Sequence, residues 1–176
     1  MAVAVVYESM YGNTHQIARA IGRGLTEAHC PAEVFSVEAA RERGIRPDDV
    51  LVVGAPTHVH GLSRESTRKA AAKEAPKNEL AMDPAAQGPA VRDWLASLGK
   101  STGRAAAFDT RVKAPALFTG RASHTIAKAL RRHGFELLAE PESFLVTSTN
   151  QLMPEEEARA RQWGVDLAAK ILSIQP

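Results

Sequence analysis

One stretch near the beginning of the chain decides the fold class. It reads Ala2-Val3-Ala4-Val5-Val6-Tyr7-Glu8-Ser9-Met10-Tyr11-Gly12-Asn13-Thr14-His15-Gln16-Ile17-Ala18-Arg19-Ala20-Ile21. Residues 2–7 form an almost unbroken apolar run, which is typical of a strand that is buried on both faces. From Ile17 onward, apolar residues recur at helical spacing, and Asn13 and Thr14 before them are good helix N-caps. The stretch therefore predicts a buried strand, a short turn and an amphipathic helix.

The alternation of strand and helix patterns continues through the rest of the chain. Apolar runs recur at residues 50–53, 105–108 and 144–146, and residues 33–37 alternate as an edge strand does. Helical stripes separate most of these runs: Val91, Trp94, Leu95 and Leu98; Ile126, Ala127 and Leu130; and Trp163, Leu167 and Ile171. Such alternation predicts a doubly wound α/β fold with helices on both faces of a parallel sheet. Because these folds bind ligands at the carboxyl ends of their strands, we expect the functional site at the loops after strands one, three and four.

Length and composition narrow the classes of protein to which this chain can belong. Its 176 residues fit a single domain, and the lone cysteine, Cys30, excludes an intramolecular disulfide. The net charge is only +2, with acids and bases mixed along the chain, which argues against a nucleic-acid-binding protein. No run of about 18 apolar residues indicates a membrane span, and nothing before the first strand resembles a signal peptide. We therefore expect a cytoplasmic protein.

The turn after the first strand has the chemistry of an anion site. Free backbone N–H groups and the positive end of the helix dipole meet where a helix begins. Ser9 and Thr14 can add hydroxyl donors, and Gly12 lets the backbone approach a phosphate closely. No Lys or Arg lies between Met1 and Ala18, so His15 is the only cation that this turn could offer a phosphate. The alternative is an ordinary capped connection between a strand and a helix.

A family signature covers this turn and its flanks. It consists of Val5-Val6-Tyr7-Glu8-Ser9-Met10-Tyr11-Gly12-Asn13-Thr14, followed by Ala18 and Ile21. These residues resemble the phosphate loop with which flavodoxins bind FMN. The resemblance implies an FMN cofactor held by Ser9, Met10, Tyr11, Gly12, Asn13 and Thr14. It also implies a flavodoxin-like, three-layer fold whose five parallel strands run in the order 2-1-3-4-5.

One position departs from the usual flavodoxin pattern. Many flavodoxins carry Thr where this chain has Tyr11, whereas Tyr at that position is familiar among flavodoxin-like quinone reductases. The departure leaves FMN binding as the expectation. It puts the hydroxyl contact at this position in doubt.

The loop after the third strand reads Gly54-Ala55-Pro56-Thr57-His58-Val59-His60-Gly61. In flavodoxins a Gly-x-Pro-Thr segment at this place forms the second FMN loop, against the flavin ring. The resemblance therefore implies cofactor contacts from Pro56, Thr57, His58, Val59, His60 and Gly61, and which of them stacks on the ring stays open. Two histidines spaced by one residue could also suggest a metal, but no third ligand completes a set nearby, and we expect no metal site.

The loop after the fourth strand begins Phe108-Asp109-Thr110-Arg111. The resemblance implies that this segment supplies the third FMN contact, through backbone groups and an aromatic ring. Phe108 could equally be a core residue, and the three polar residues could equally be a strand exit. Arg111 near the flavin would attract an anionic substrate or favour the reduced, anionic cofactor.

Residues 62–89 form an excursion that simple flavodoxins lack. We expect a single domain over residues 1–176, with this insertion between the third strand and the helix that follows it. The first half, residues 64–74, has a helical pattern, and Pro76 and Pro84 interrupt the rest. Because it follows the flavin loop directly, the insertion could shape substrate access or a partner surface, or it could be an exposed decoration.

Three functions are compatible with these observations. The first is an FMN-binding flavodoxin-like protein that carries electrons between a reductase and an acceptor, which is a partner protein or a small molecule. The second is a flavodoxin-like FMN oxidoreductase of the quinone reductase or porphyrinogen oxidase type. This alternative gains from the charge of the chain, because carriers of this family are typically acidic around the flavin. The third is a flavodoxin-fold binding module without FMN.

Overall fold

The computed structural model describes residues 2–44, 49–58, 61–75 and 81–174. The strands are β1 (Val3–Tyr7), β2 (Ala32–Ser36), β3 (Val50–Pro56), β4 (Arg104–Val112), β5 (Glu136–Leu137) and β6 (Glu142–Val146). The helices are α1 (Asn13–Glu27), α2 (Val37–Arg43), α3 (Glu65–Glu74), α4 (Val91–Ser97), α5 (Ala116–Thr119), α6 (Ala122–Arg132) and α7 (Glu156–Ser173), with a 3₁₀ helix at Pro84–Gln87. Within these ranges, no helix is both long enough and apolar enough to cross a bilayer.

The strands form one parallel sheet in the order β2-β1-β3-β4, and its fifth position is shared by β5 and β6. β5 pairs with the beginning of β4, at Arg104 and Ala105, whereas β6 pairs with its end, from Phe108 to Val112. Pro141 stands directly before β6 and has no N–H to donate to a strand ladder, which accounts for a break here. The expected order 2-1-3-4-5 is confirmed, and the fifth strand is two short segments rather than one.

Side chains alternate across the sheet and create two separate cores. On β1, Val3, Val5 and Tyr7 face α1 and α7, while Ala4 and Val6 face α2, α4 and α6. Every residue of β1 is buried, because helices cover the sheet on both sides. This arrangement gives the three layers of the expected doubly wound fold and leaves the carboxyl ends of the strands to the loops.

Three local predictions need correction or extension. Gly12, with a φ of 89°, is the N-cap of α1 in place of Asn13 or Thr14, which are already helical. Helix α2 differs from the sequence-based prediction, because the alternation of residues 33–37 indicates a strand through Val37. It begins there because the Ser36 side chain accepts a hydrogen bond from the Ala39 N–H at 3.2 Å and caps the helix. In the insertion, α3 lies where the helical pattern of residues 64–74 predicted a helix. The assignment of the whole chain to a single domain stays a prediction.

Helices α1 and α7 touch through their backbones. A Cβ atom on Gly164 would lie 2.3 Å from the carbonyl oxygen of Ile21, and one on Gly24 would lie 2.0 Å from that of Arg161. Both distances are far below those of real Cβ contacts, so only glycine fits at these two positions. The close approach fixes α1, the helix that follows the first loop, against the sheet.

Replacing Gly164 by Ala should therefore lower the free energy of unfolding by about 3 kcal/mol, the upper part of the range for overpacking, because backbone atoms must move apart. Gly99→Ala is the matched control, since a Cβ there meets no atom within 4 Å. It should change stability by less than about 0.5 kcal/mol. Denaturant titration compares the two variants, and equal stabilities would contradict the close packing.

Candidate functional site

A cavity of about 350 Å³ lies at the carboxyl ends of β1, β3 and β4, within the size range of small-molecule sites. Residues from all three expected loops line it: Ser9, Met10, Tyr11, Asn13, Thr14, Pro56, Thr57, His58, Thr110 and Arg111. The sequence did not indicate six further lining residues: Thr67, Ala70, Ala71, Val112, Val146 and Asn150. The structure thus brings most of the predicted site residues together. Val59 and His60 lie outside the described residues.

The first loop presents neutral donors at the beginning of α1. The first helical hydrogen bond runs from the Gln16 N–H to the Gly12 carbonyl at 2.9 Å, so the amides of residues 13–15 precede the helical ladder. The Gly12 N–H donates to the Ser9 hydroxyl at 3.0 Å, which closes the turn. No acidic residue lies in the first turn of α1. The positive end of the helix therefore favours a phosphate-sized anion here.

Side chains from the same loop fix it to two other segments. The hydroxyl oxygens of Thr14 and Thr110 lie 2.8 Å apart, and both residues are buried. The Asn13 side-chain amide donates to the Asn150 carbonyl at 2.7 Å. The loop is thereby held against the end of β4 and against the turn that follows β6.

His15 does not supply the cation that the sequence allowed for a phosphate. Its ring stacks on that of Tyr7, with centroids 4.4 Å apart, and its Nδ1 lies 3.1 Å from Oδ2 of the buried Asp83. It is absent from the cavity lining, and its polar contact is with Asp83 of the insertion. Burial, with a smaller contribution from the charge of Asp83, raises the pKa of Tyr7 to about 12.

Glu8 is a structural anchor that sequence reasoning missed. Its side chain is buried, and its carboxyl oxygens accept hydrogen bonds from the Ser63 hydroxyl and from the Val91 N–H, the latter at 2.9 Å. These partners lie at the beginning of the insertion and at the first residue of α4. The carboxyl group thus joins the end of β1 to both ends of the excursion.

The second loop is closed on itself and tied to α6. The N–H of His58 donates to the Gly61 carbonyl at 2.7 Å, and the N–H of Gly61 returns a bond to the His58 carbonyl at 3.0 Å. The Thr57 hydroxyl accepts from the Ala122 N–H at 3.0 Å, so it is engaged at the beginning of α6. Gly61 does not line the cavity.

His58 lines the cavity and has a polar atom that forms no hydrogen bond within the described part of the chain. Its Nε2 is buried and has no hydrogen-bond partner among the described residues. Burial lowers the pKa of His58. A buried ring nitrogen without a partner is unusual in a folded protein and is available to a ligand.

Of the four residues of the fourth strand that were predicted to contact the cofactor, two line the cavity and two do not. Thr110 and Arg111 line the cavity, and the Arg111 Nε is buried with no partner among the described residues. Phe108 is fully buried and packs edge-on against Phe144 and Trp163, so its ring belongs to the core and does not reach the cavity. Its position also explains Gly54, where a Cβ would overlap the Phe108 ring at 2.0 Å.

Asp109 is also turned away from the cavity. It is fully buried and absent from the lining, and its Oδ2 accepts a hydrogen bond from the Ser123 N–H at 2.8 Å, near the beginning of α6. The Asp109 side chain therefore has a structural contact, and a cofactor contact through its backbone stays a prediction. Burial raises the pKa of this carboxyl group, although the hydrogen bond from Ser123 opposes the shift.

The insertion forms a wall of the cavity. Thr67, Ala70 and Ala71 of α3 line it, and the Tyr11 hydroxyl donates to the Ala71 carbonyl at 3.0 Å. The sequence feature that indicates this contact is Tyr11 itself, because its side chain is longer than the Thr that many flavodoxins have at this position and reaches further. Nothing in the sequence of α3 itself indicates where the helix packs.

The residues present fit FMN. Neutral N–H and hydroxyl donors suit a phosphate at the beginning of α1, whereas Met10, Val112 and Val146 offer apolar surface for a ring. The buried Nε of Arg111 suits a polar ring edge. In the part of the chain that the structure describes, no three His, Cys, Asp or Glu side chains are grouped to hold a metal ion.

The raised pKa of Asp109 predicts a pH-dependent effect of Asp109→Asn. In the wild type, the stability associated with the neutral carboxyl group is fully present below the unfolded pKa of about 4 and is lost as pH rises through the higher folded pKa. Asn does not titrate, so the stability of the variant relative to wild type should increase with pH above about 4. Urea titrations at several pH values measure this difference. Exposed Asp166→Asn is the control, and a difference that is flat with pH for Asp109→Asn would contradict the prediction.

The sequence and the fold of this chain are both similar to those of known proteins. The sequence model of the flavodoxin family matches residues 5–163. A putative diflavin flavoprotein of Synechocystis is 39% identical over 61 residues, which are 32% of this chain and 10% of that protein. The chain thus spans about a tenth of the length of this curated relative.

Solved structures of low sequence identity share the fold. An archaeal flavodoxin has 21% identity and a TM-score of 0.62, with 98% of this chain and 99% of that chain covered. The flavodiiron protein of Giardia intestinalis has 19% identity and a TM-score of 0.60, with 98% of this chain and 36% of that chain covered. The family match extends through all three loops that line the cavity. The chain belongs to the flavodoxin family, and its cofactor is accordingly FMN.

Proposed function

We propose that this protein binds FMN in the cavity at the ends of β1, β3 and β4 and carries electrons in the cytoplasm between a reductase and an acceptor. The observation that supports this most directly is the first loop, where neutral donors and the beginning of α1 meet beside an apolar cleft. FMN when bound supplies one-electron and two-electron chemistry. The protein supplies binding, orientation and a fixed electrostatic surrounding.

Each part of the cavity has a role in this proposal. The phosphate would be held by Ser9, Thr14 and the backbone of residues 10–14. The ring would lie against residues 56–58, with Thr110 and Arg111 at its other side. Arg111 holds its guanidinium in place by donating to the Ala114 carbonyl at 2.7 Å, so its charge stays near the cavity and favours an anionic ligand.

The surface beside Arg111 has features that suit the binding of a protein partner. Leu117 and Phe118 of α5 are 86% and 70% exposed, and Thr119 of the same helix lies 3.4 Å from Arg111 Nη1. Residues 110–135 contain no Asp or Glu but six Lys and Arg residues. An apolar pair in a basic surrounding next to the redox site suits an acidic partner protein.

A second candidate is an FMN oxidoreductase of the quinone reductase or porphyrinogen oxidase type. It is favoured by a second cavity, described below, that shares His58 and Thr67 with the first. A binding module that has lost FMN has no comparable support, because the first loop keeps the Ser9 and Thr14 hydroxyl groups and the backbone N–H groups that suit a phosphate.

Titration of the purified protein with FMN, followed by stepwise reduction under visible absorption, tests the proposal. A carrier should bind FMN saturably and be reduced in two resolved one-electron steps. Steady oxidation of a nicotinamide cofactor in the presence of a quinone would favour the oxidoreductase instead. Failure to bind micromolar FMN would contradict both.

Thr14→Val should weaken FMN binding about tenfold, because one hydroxyl donor at the phosphate is lost without a change of shape. Ser173→Ala is the matched control, since its hydroxyl donates only to the Lys170 carbonyl at the far end of α7. Fluorescence titration of both variants measures the dissociation constants. Equal affinities would remove Thr14 from the phosphate site.

Tyr11→Phe should lower the free energy of unfolding by about 1 kcal/mol, because the bond to Ala71 is lost. Amide exchange in α3 should become faster, since this contact holds α3 at the cavity. Denaturant titration and hydrogen exchange measure the two effects. Unchanged protection of α3 would show that the tyrosine hydroxyl does not position the helix.

A further inference from the structure

A second cavity, of about 470 Å³, adjoins the first. His58, Gly61, Arg64, Ser66, Thr67 and Arg92 are among its lining residues. His58 and Thr67 line both cavities, so they form the partition between them. A small molecule in the second cavity would therefore lie directly beside the ligand of the first.

The lining is cationic. Arg64 and Arg92 come from opposite sides of the insertion, and no acidic side chain is among the lining residues that the structure describes. Glu65, the residue after Arg64, pairs with Lys69 at 2.6 Å. Among the described residues, neither lining arginine forms a salt bridge with an acidic side chain, so their positive charge is available to a ligand.

Arg92 is held in place rather than extended into solvent. Its Nε donates to the Ser63 carbonyl at 3.3 Å, and its Nη2 donates to the Leu62 carbonyl at 3.0 Å. These bonds orient the planar guanidinium before any ligand arrives, which lowers the entropic cost of binding. Arg64 is exposed at the opening of the cavity and marks the beginning of α3.

His58 gives the partition a donor or acceptor that the protein itself does not use. The buried Nε2 has no partner among the described residues. A polar atom of this kind requires a ligand or a water to complete its hydrogen bonding. Two arginines and an unpaired ring nitrogen around one cavity form a site for carboxylate or phosphate oxygens.

We propose that this second cavity binds the anionic group, carboxylate or phosphate, of a small redox substrate and holds that substrate next to the FMN cavity. The identity of the ligand as a redox substrate rests on the proposed function. The binding of an anion by Arg64 and Arg92 stands on the cavity itself. The phosphate of FMN is a separate ligand, because its donors lie in the first loop.

The test uses FMN-loaded protein, so that the first cavity is filled, and two probes, inorganic phosphate and succinate, at constant ionic strength. Calorimetry and the flavin absorption spectrum follow binding. Arg64→Gln should weaken binding of the preferred probe about tenfold, through loss of a charge-assisted hydrogen bond. Lys73→Gln, an equal change of charge on the same helix outside the cavity, should leave the affinity within about twofold of wild type.

The outcomes separate this proposal from the proposed function. A preference for succinate or for phosphate identifies the chemical source of the anion. Saturable binding that depends on Arg64 in protein that fails to bind FMN would support the anion site and contradict the redox role. Equal affinities of Arg64→Gln and Lys73→Gln for the probe, or no saturable binding of either probe, would overturn the anion site. FMN titration would then still test the proposed redox function independently.

Discussion

The buried carboxyl group of Glu8 is the constraint on which the site depends. A buried acceptor that loses its donor costs about 1–3 kcal/mol, so both of its partners are held firmly. Those partners, the Ser63 hydroxyl and the Val91 N–H, lie at the two ends of the insertion. The carboxyl group itself comes directly after β1. One side chain therefore fixes the first loop and both ends of the segment that closes over it.

The insertion is bound to the first loop at further points. The Asp83 N–H donates to the Met10 carbonyl at 2.8 Å, the Asp83 carboxylate pairs with His15, and Tyr11 donates to Ala71. Tyr11, which departs from the usual flavodoxin pattern, and the segment between β3 and α4 are thus parts of one feature. The tyrosine side chain reaches α3, a helix of that segment.

Much of the fold and site follows from local sequence, because the relevant signals are local. An apolar run, a glycine-containing turn and a helical stripe predict β1, the first loop and α1. The rule that doubly wound sheets bind ligands at strand ends, with the family resemblance, predicts a site formed by residues 9–14, 56–61 and 108–111, and ten of these residues line one cavity. The FMN cofactor followed from the resemblance of a single loop.

The remaining features depend on tertiary contacts that no local pattern encodes. Phe108 and Thr110 share one face of β4, yet Phe108 packs in the core and Thr110 lines the cavity, because only the end of the strand reaches the site. Asp109 belongs to the segment expected to contact the cofactor, but its buried side chain accepts a hydrogen bond from the Ser123 N–H of α6, a contact that no local pattern indicates. The packing of α3 against the cavity depends on tertiary contacts such as the hydrogen bond from the Tyr11 hydroxyl to the Ala71 carbonyl. Its position could not be read from its own residues.

The division of the fifth sheet position has a consequence for association between molecules. An uninterrupted edge strand exposes a row of unpaired N–H and carbonyl groups, onto which another chain can add. Here β5 has two residues, and the outer side of β6 is already satisfied within the chain. The Leu145 N–H donates to the Glu156 carboxylate at 2.8 Å, and the Leu145 carbonyl accepts from the Met153 N–H at 3.0 Å. This edge therefore offers no template for a foreign strand, and growth of the sheet into an aggregate is blocked on this side.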